Sequence, residues 1–315
     1  MLRTADIQKL AHHYLPKDFV LTDWASLEPY FKELSDRPIE DALGLEKWLK
    51  DLSELEAFIS EDACWRQIKM TCDTTDKSLE EAFNFFCMEI QPKMQPYADA
   101  LNKKLIQSPF TAQLDQAKYH TYLRSVQKSI ELFRTENIPI QAELSVLQQQ
   151  YGVIAGKMTI EVGGKEYTLQ QAAQFLENED RAFREEVYRK IQTRRLQDQE
   201  AMHDLFTSLV QKRHQVALNA GFENYRDYKF AELGRFDYTK EDCFQFHDAV
   251  KLHVMPLIEK IYTRKKEKLG VDMLKPWDLE AEPAGTKPLR PFTDGKDLYE
   301  KSVACFEQVD PFFAD

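Results

Sequence analysis

The chain has 315 residues, with 42 Lys and Arg against 53 Asp and Glu, a formal net charge of −11 and 43% hydrophobic residues. That balance is globular and supplies a sizeable core, and the length corresponds to about two domains. The negative charge argues against a nucleic-acid surface, and no apolar run approaches the ~20 residues that cross a bilayer.

The segment Met1 to Lys17 lacks the apolar stretch and small-residue cleavage site of a secretory leader. The first predicted helix carries Trp24, Leu27, Phe31 and Leu34 on one stripe, with Ser26 as its N-cap and Pro29 in the first turn. Asp36-Arg-Pro38 ends it. Leu45, Trp48, Leu49, Leu52, Leu55 and Ile59 form the apolar face of the next helix. Leu79, Phe83, Phe86 and Ile90 continue the pattern, and Pro92 and Pro96 are expected to kink or interrupt it. Tyr119, Leu123, Val126, Ile130 and Phe133 mark another helix, expected to end near Ile138-Pro139.

One segment has a different period. Met158, Ile160 and Val162 alternate with polar residues, Gly163-Gly164 follows, and Tyr167 and Leu169 resume the alternation, which predicts a β-hairpin at about 157–169. Thr168 and Gln171 then match a capping box. A charged helix is expected from Asp180 to Ala220, and another from Thr239 to about Leu269, closed by Gly270. Its basic cluster, Arg264-Lys265-Lys266, suits a helix C-terminus. From Val271 to Gly295 four prolines predict an extended loop, and a final amphipathic helix spans roughly Lys296 to Val309. Phe312 and Phe313, close to the end, suggest a partner surface. The predicted fold class is therefore all-α, mainly helical, with one small β-hairpin and no solenoid repeat.

Few of these residues suggest chemistry. Cys64, Cys72, Cys87, Cys243 and Cys305 are an odd, scattered set without a C-x-x-C pair, which points to free thiols in a reducing cytoplasm. Cys64, Cys72 and Cys87 read as small packing residues. Glu200-x-x-His203 resembles one quarter of a ferritin-like di-metal site, but a second copy is missing. His214 lies three turns beyond His203 on the same face, and both read as polar positions on a charged helix. His247 and His253, six apart, fall on different faces. Cys243 and His247 are one turn apart with no third group to orient them. Gly163-Gly164 lacks the helix start and Lys-Ser/Thr of a phosphate loop. Asp227, Asp237 and Asp248 lack the dense spacing of a calcium loop. Tyr225, Tyr228 and Tyr238 suit core packing better than a peptide groove. No catalytic, cofactor-binding or metal-ligating residue is assigned.

The richest stretch is Leu218-Asn-Ala-Gly-Phe-Glu-Asn-Tyr-Arg-Asp-Tyr228, in which Gly221 ends one helix and Phe222, Tyr225 and Tyr228 anchor the next. This wording resembles the turn near the start of the catalytic region in oligoendopeptidase F and its thimet oligopeptidase relatives, which are zinc peptidases. Phe230 to Tyr238, Glu241 to His247, Lys275-Pro-Trp-Asp-Leu279, Arg184 to Lys190, and Trp65 through Asp76 are similar to the same family.

The resemblance implies a nearly all-helical cytoplasmic metallopeptidase that cuts short oligopeptides in a channel. An amino-terminal helical domain would run over 1–195, and the start of the catalytic domain over 196–315. The family holds zinc with His-Glu-x-x-His plus a later Glu, a spacing that puts both imidazoles on one helix face. Here none of His12, His13, His120, His203, His214, His247 and His253 precedes a Glu, and no two are four apart. The resemblance therefore implies an amino-terminal portion without the zinc helix, inactive alone, whose partners are short peptides and the remainder of the catalytic domain. The alternative is a non-enzymatic helical protein derived from the peptidase scaffold that binds a peptide or partner. A third reading is a subunit completed by a separate chain that carries the zinc helix.

Overall fold

The computed structural model describes residues 12–282 and 289–314. Most of the amino-terminal stretch read for a leader, Pro283 and Pro288 of the proline-rich loop, and Asp315 lie outside these residues. The chain divides into two compact units, residues 1–157 with 198–243, and residues 158–197 with 244–315. The fold class is all-α with one two-stranded antiparallel hairpin, as predicted.

The first unit begins with α1 (Trp24–Asp36) and α2 (Ala42–Cys72). Asp23, not Ser26, is the N-cap of α1. Ser26 sits one turn in as the reciprocal member of a capping box, so Pro29 lies inside the helix rather than in its first turn. The whole predicted stripe of α2, from Leu45 to Ile59, is buried against Leu27, Phe31 and Leu34. At the centre, the indole of Trp48 is fully buried and donates to the Leu34 carbonyl at 2.9 Å. The Lys104 ammonium donates to the carbonyls of Leu34, Ser35 and Arg37, and so serves the exposed end of α1.

Pro92 and Pro96 do not interrupt their helix. A π-helical turn, Phe86–Ile90, joins α3 (Lys77–Phe85) to α4 (Gln91–Gln107), and the Gln91 amide reaches back to Phe86. The carbonyl that a proline ring at 92 would strike in a regular α-helix belongs to Met88, inside the widened turn. The same device recurs between α11 (Lys240–Ala249) and α12 (Met255–Leu269). There the π turn Val250–Val254 precedes Pro256 and contains Leu252, four residues before it.

Helix α5 (Gln116–Leu132) ends before Ile138-Pro139, which fall instead in the first turn of α6 (Asn137–Gly156). A proline is tolerated there because its missing N–H would have no helical partner. The buried Asn137 amide donates to the Val216 carbonyl at 3.0 Å, which ties α6 to α9 (Gln199–Asn219).

The single helix expected from Asp180 to Ala220 is two, α8 (Arg181–Gln197) and α9, with Asp198 between them at φ −101° and ψ 15°. No Gly or Pro marks the break, and it coincides with the boundary between the units.

At its far end α9 closes as expected. Gly221 has φ 85°, its amide donates to the Leu218 carbonyl, and that of Phe222 donates to Ala217, the paired pattern of a Schellman turn. Asn224 then caps α10 (Tyr225–Glu232). A Cβ at 221 would touch nothing within 4 Å, so Gly221→Ala would cost only left-handed backbone strain. Its urea midpoint is expected to fall by the equivalent of about 1 kcal/mol.

The second unit contains the hairpin, α7 (Leu169–Ala173), α8 and the chain from 244 onward. Strands β1 (Thr159–Val162) and β2 (Lys165–Thr168) pair Ile160 with Tyr167, and both turn glycines have positive φ, as a tight type I′ hairpin demands. The Thr168–Gln171 capping box forms as read. Ile160, Val162, Ala172, Val187 and Ile191 make the core of this unit. The loop after α12 is not wholly extended, because Pro276–Asp278 form a short 3₁₀ turn. Helix α13 (Gly295–Val309) follows the undescribed residues. Among the described residues no helix is long and apolar enough to span a membrane.

Candidate functional site

The most constrained polar assembly lies within the second unit and joins two stretches far apart in sequence. The Asp180 carboxylate accepts from the Ala182 amide at 2.9 Å and so starts α8. That places Arg181 and Arg184 on the helix face that continues into the buried Val187 and Ile191. The 3₁₀ turn brings Asp278 to them.

Arg181 binds the carboxylate with two nitrogens, Nε to Oδ1 at 3.0 Å and Nη2 to Oδ2 at 2.8 Å. Arg184 donates Nη2 to Oδ1 at 3.0 Å and Nε to the Trp277 carbonyl at 2.9 Å. Its Nη1 serves the carbonyls of Asn178 and Glu179. The Lys275 amide supplies another donor to Asp278 at 2.9 Å. Asp278 is fully buried and Arg184 nearly so. The Trp277 ring packs against Tyr188, with the Arg189 guanidinium 5.3 Å from its centre.

Burial opposes ionisation of Asp278, but the Arg181, Lys275 and Arg184 donors outweigh it and hold the carboxyl at about 2. At neutral pH the group is a fixed anion with no proton to give. The arrangement braces the turn against α8 rather than performing acid–base chemistry.

The sequence candidates stay apart. His203 and His214 are exposed on α9, and His247 and His253 are exposed on α11 and the π turn after it. Cys87 is buried, and burial pushes its thiol up to about 11, whereas Cys64 and Cys72 are exposed rather than packed. They occupy the outer side of α2, whose inner stripe is filled by leucines. Tyr228 is buried in contact with Phe222 and Tyr225, as core packing requires, and Tyr238 is exposed with its edge on Phe230. Among the described residues, no group of three or more His, Cys, Asp and Glu could hold a metal ion.

Two family descriptions match this chain, "Peptidase M3 N-terminal domain" over residues 17–133 and "Peptidase family M3" over residues 174–300. Together they cover well over half of it. The chain belongs to peptidase family M3.

The brace of Arg181, Arg184 and Asp278 lies within the second of these matches. Solved structures share the fold. PZ peptidase A with an inhibitor aligns at TM-score 0.84 and 23% identity, over 92% of this chain and 51% of that one. A protein assigned as an oligoendopeptidase F aligns at 0.87 and 24%, over 93% and 52%. Another so assigned, from Bacillus anthracis str. Ames, aligns at 0.86 and 20%, over 96% and 56%. The comparison with curated proteins gave no match. This M3 chain thus spans about half the length of the solved structures it matches. M3 peptidases are generally zinc-dependent, but the donor sets described here do not fit zinc, because no three ligating side chains converge.

Proposed function

We propose that this chain is the amino-terminal portion of an oligoendopeptidase F-like, zinc-dependent cytoplasmic peptidase acting on short oligopeptides, and that these 315 residues are inactive alone. In this reading the amino-terminal helical domain runs to about residue 195, and the catalytic domain begins at 196. The zinc ligands and the water-activating Glu belong to chain beyond these residues.

The observation that carries the proposal is the coexistence of two M3 matches with a sequence that lacks His-Glu-x-x-His. A second observation supports it. Helices α11, α12 and α13 bury none of their residues, and Phe246, Leu252, Leu257, Ile261, Tyr299 and Phe306 are all exposed. Side chains of this kind are expected to be covered by the remainder of the catalytic domain.

The coding sequence downstream of codon 315 tests the reading. A frame that continues into, or is closely followed by, one encoding His-Glu-x-x-His is the expected result. A stop codon with no such frame nearby would overturn it and leave a helical binding protein.

A further inference from the structure

Strand β1 has an open edge. A two-residue hairpin joins Val162 to Lys165 and Ile160 to Tyr167 through their main-chain groups, so the amides and carbonyls of Thr159 and Glu161 point away from β2. A contact from α8 agrees with that assignment, because Lys190 Nζ donates to the outward Glu161 carbonyl at 3.2 Å. Among the described residues no acceptor meets the outward amides of Thr159 and Glu161. Natural edges are commonly blunted by proline, a bulge or a covering element, and Thr-Ile-Glu-Val carries neither proline nor bulge.

Beside this edge lies a groove of about 660 Å³, lined wholly by residues between 159 and 197 of the second unit. One wall is β1 and the other is the α8 stripe Lys190, Thr193, Arg194 and Gln197. The volume is that of a ligand site, and an extended chain laid in it would meet the outward amides and carbonyls of β1 as a neighbouring strand does. Charge gives the sign of the partner. Helix α8 carries six Arg and Lys against two Glu, in a chain whose net charge is −11. Lys190 pairs with Glu186 at 2.7 Å, but the two side chains are 42% and 57% exposed, so the pair is weak and an incoming carboxylate can compete for the ammonium. In an added strand every second side chain falls on the α8 side, over Lys190 and Arg194.

We propose that the β1 edge takes up an extended peptide segment as a third strand, with acidic side chains at alternate positions turned toward Lys190 and Arg194. The main-chain bonds hold the segment and the α8 wall selects its charge. The inference concerns this groove alone and does not depend on the peptidase reading.

Fluorescence anisotropy of a fluorescein-labelled, end-capped Ser-Glu-Thr-Glu-Thr-Glu-Ser peptide, titrated with the full chain, tests it. Saturable binding is expected. The same peptide with Lys for Glu, and the same peptide with every amide N-methylated, should each bind at least about tenfold more weakly, since one loses the charge match and the other its main-chain donors. Lys190→Glu combined with Arg194→Glu is expected to weaken the acidic peptide by about tenfold or more and to strengthen the lysine peptide. Thr159→Pro removes one outward amide at the first residue of β1, where a strand tolerates proline, and is expected to weaken binding by about threefold or more. It decides the matter should the double variant fail to fold. No saturable change in anisotropy, equal binding of the lysine or the N-methylated peptide, or binding untouched by these variants would overturn the proposal.

Discussion

Asp278→Asn is expected to destabilise the second unit by about 3–5 kcal/mol, because it removes the anion from a site that holds two guanidiniums, one of them almost wholly buried. Asn can still accept from one donor, but it cannot neutralise Arg184, which is 3% exposed. Trp277 is the only tryptophan in this unit, and it adjoins the substituted residue. Its emission during urea unfolding therefore reads the effect where it arises, without assuming that the whole chain melts in one step. Replacing both partners, Arg184→Met with Asp278→Leu, is expected to recover part of the loss, since an apolar pair leaves no buried charge uncompensated.

The same carboxylate sets an acid limit. Its folded value of about 2 lies below the ordinary 3.8, so its contribution is complete above about pH 4 and is lost as the pH falls through 2. The size is about 2 kcal/mol, from 1.36 kcal/mol per pH unit. Urea midpoints followed by Trp277 should therefore drop between pH 4 and pH 2 in the native chain and stay flatter in Asp278→Asn. Parallel curves for the two proteins would show that the brace does not carry this dependence.

Trp48→Ala is expected to cost the first unit about 3–5 kcal/mol, the range for removing a large buried aromatic. The ring is 0% exposed in the middle of the α1–α2 core and cannot be replaced by solvent. The Leu34 carbonyl would keep its bond from Lys104, so most of the loss is the cavity rather than an orphaned acceptor. Trp48→Phe should accordingly lose much less. Denaturant unfolding followed by far-ultraviolet dichroism measures both, and equal losses for the two variants would mean that the indole N–H dominates instead.

What could be read from the sequence was local. The stripe from Leu45 to Ile59, the Gly163-Gly164 hairpin, the Thr168 cap and the Gly221 turn each declare themselves within a dozen residues. They do so through a period, a side-chain length or a backbone angle that only glycine tolerates. The errors came where an intact neighbouring turn overrides a local rule. Pro92 and Pro256 sit in continuous helices because a widened turn receives their rings. Pro139 begins a helix because its missing amide has no duty there. The break at Asp198 is marked by no Gly or Pro and falls at the boundary between the two units.

The brace was half visible. Its two strips, Arg184 to Lys190 and Lys275 to Leu279, both carried the family resemblance, but nothing in one strip names the other across 94 residues. One signal was available. Arg184 occupies the register of Val187 and Ile191, three and seven residues ahead, so a charged residue stood on a buried stripe and required a buried partner.

Zinc content and peptide hydrolysis of the purified 315 residues most directly test the proposal that this chain does not by itself hold the catalytic zinc of family M3. The expected result is zinc well below one per chain and no cleavage of a quenched-fluorescent oligopeptide. One tightly held zinc per chain, with turnover abolished by a chelator, would contradict it.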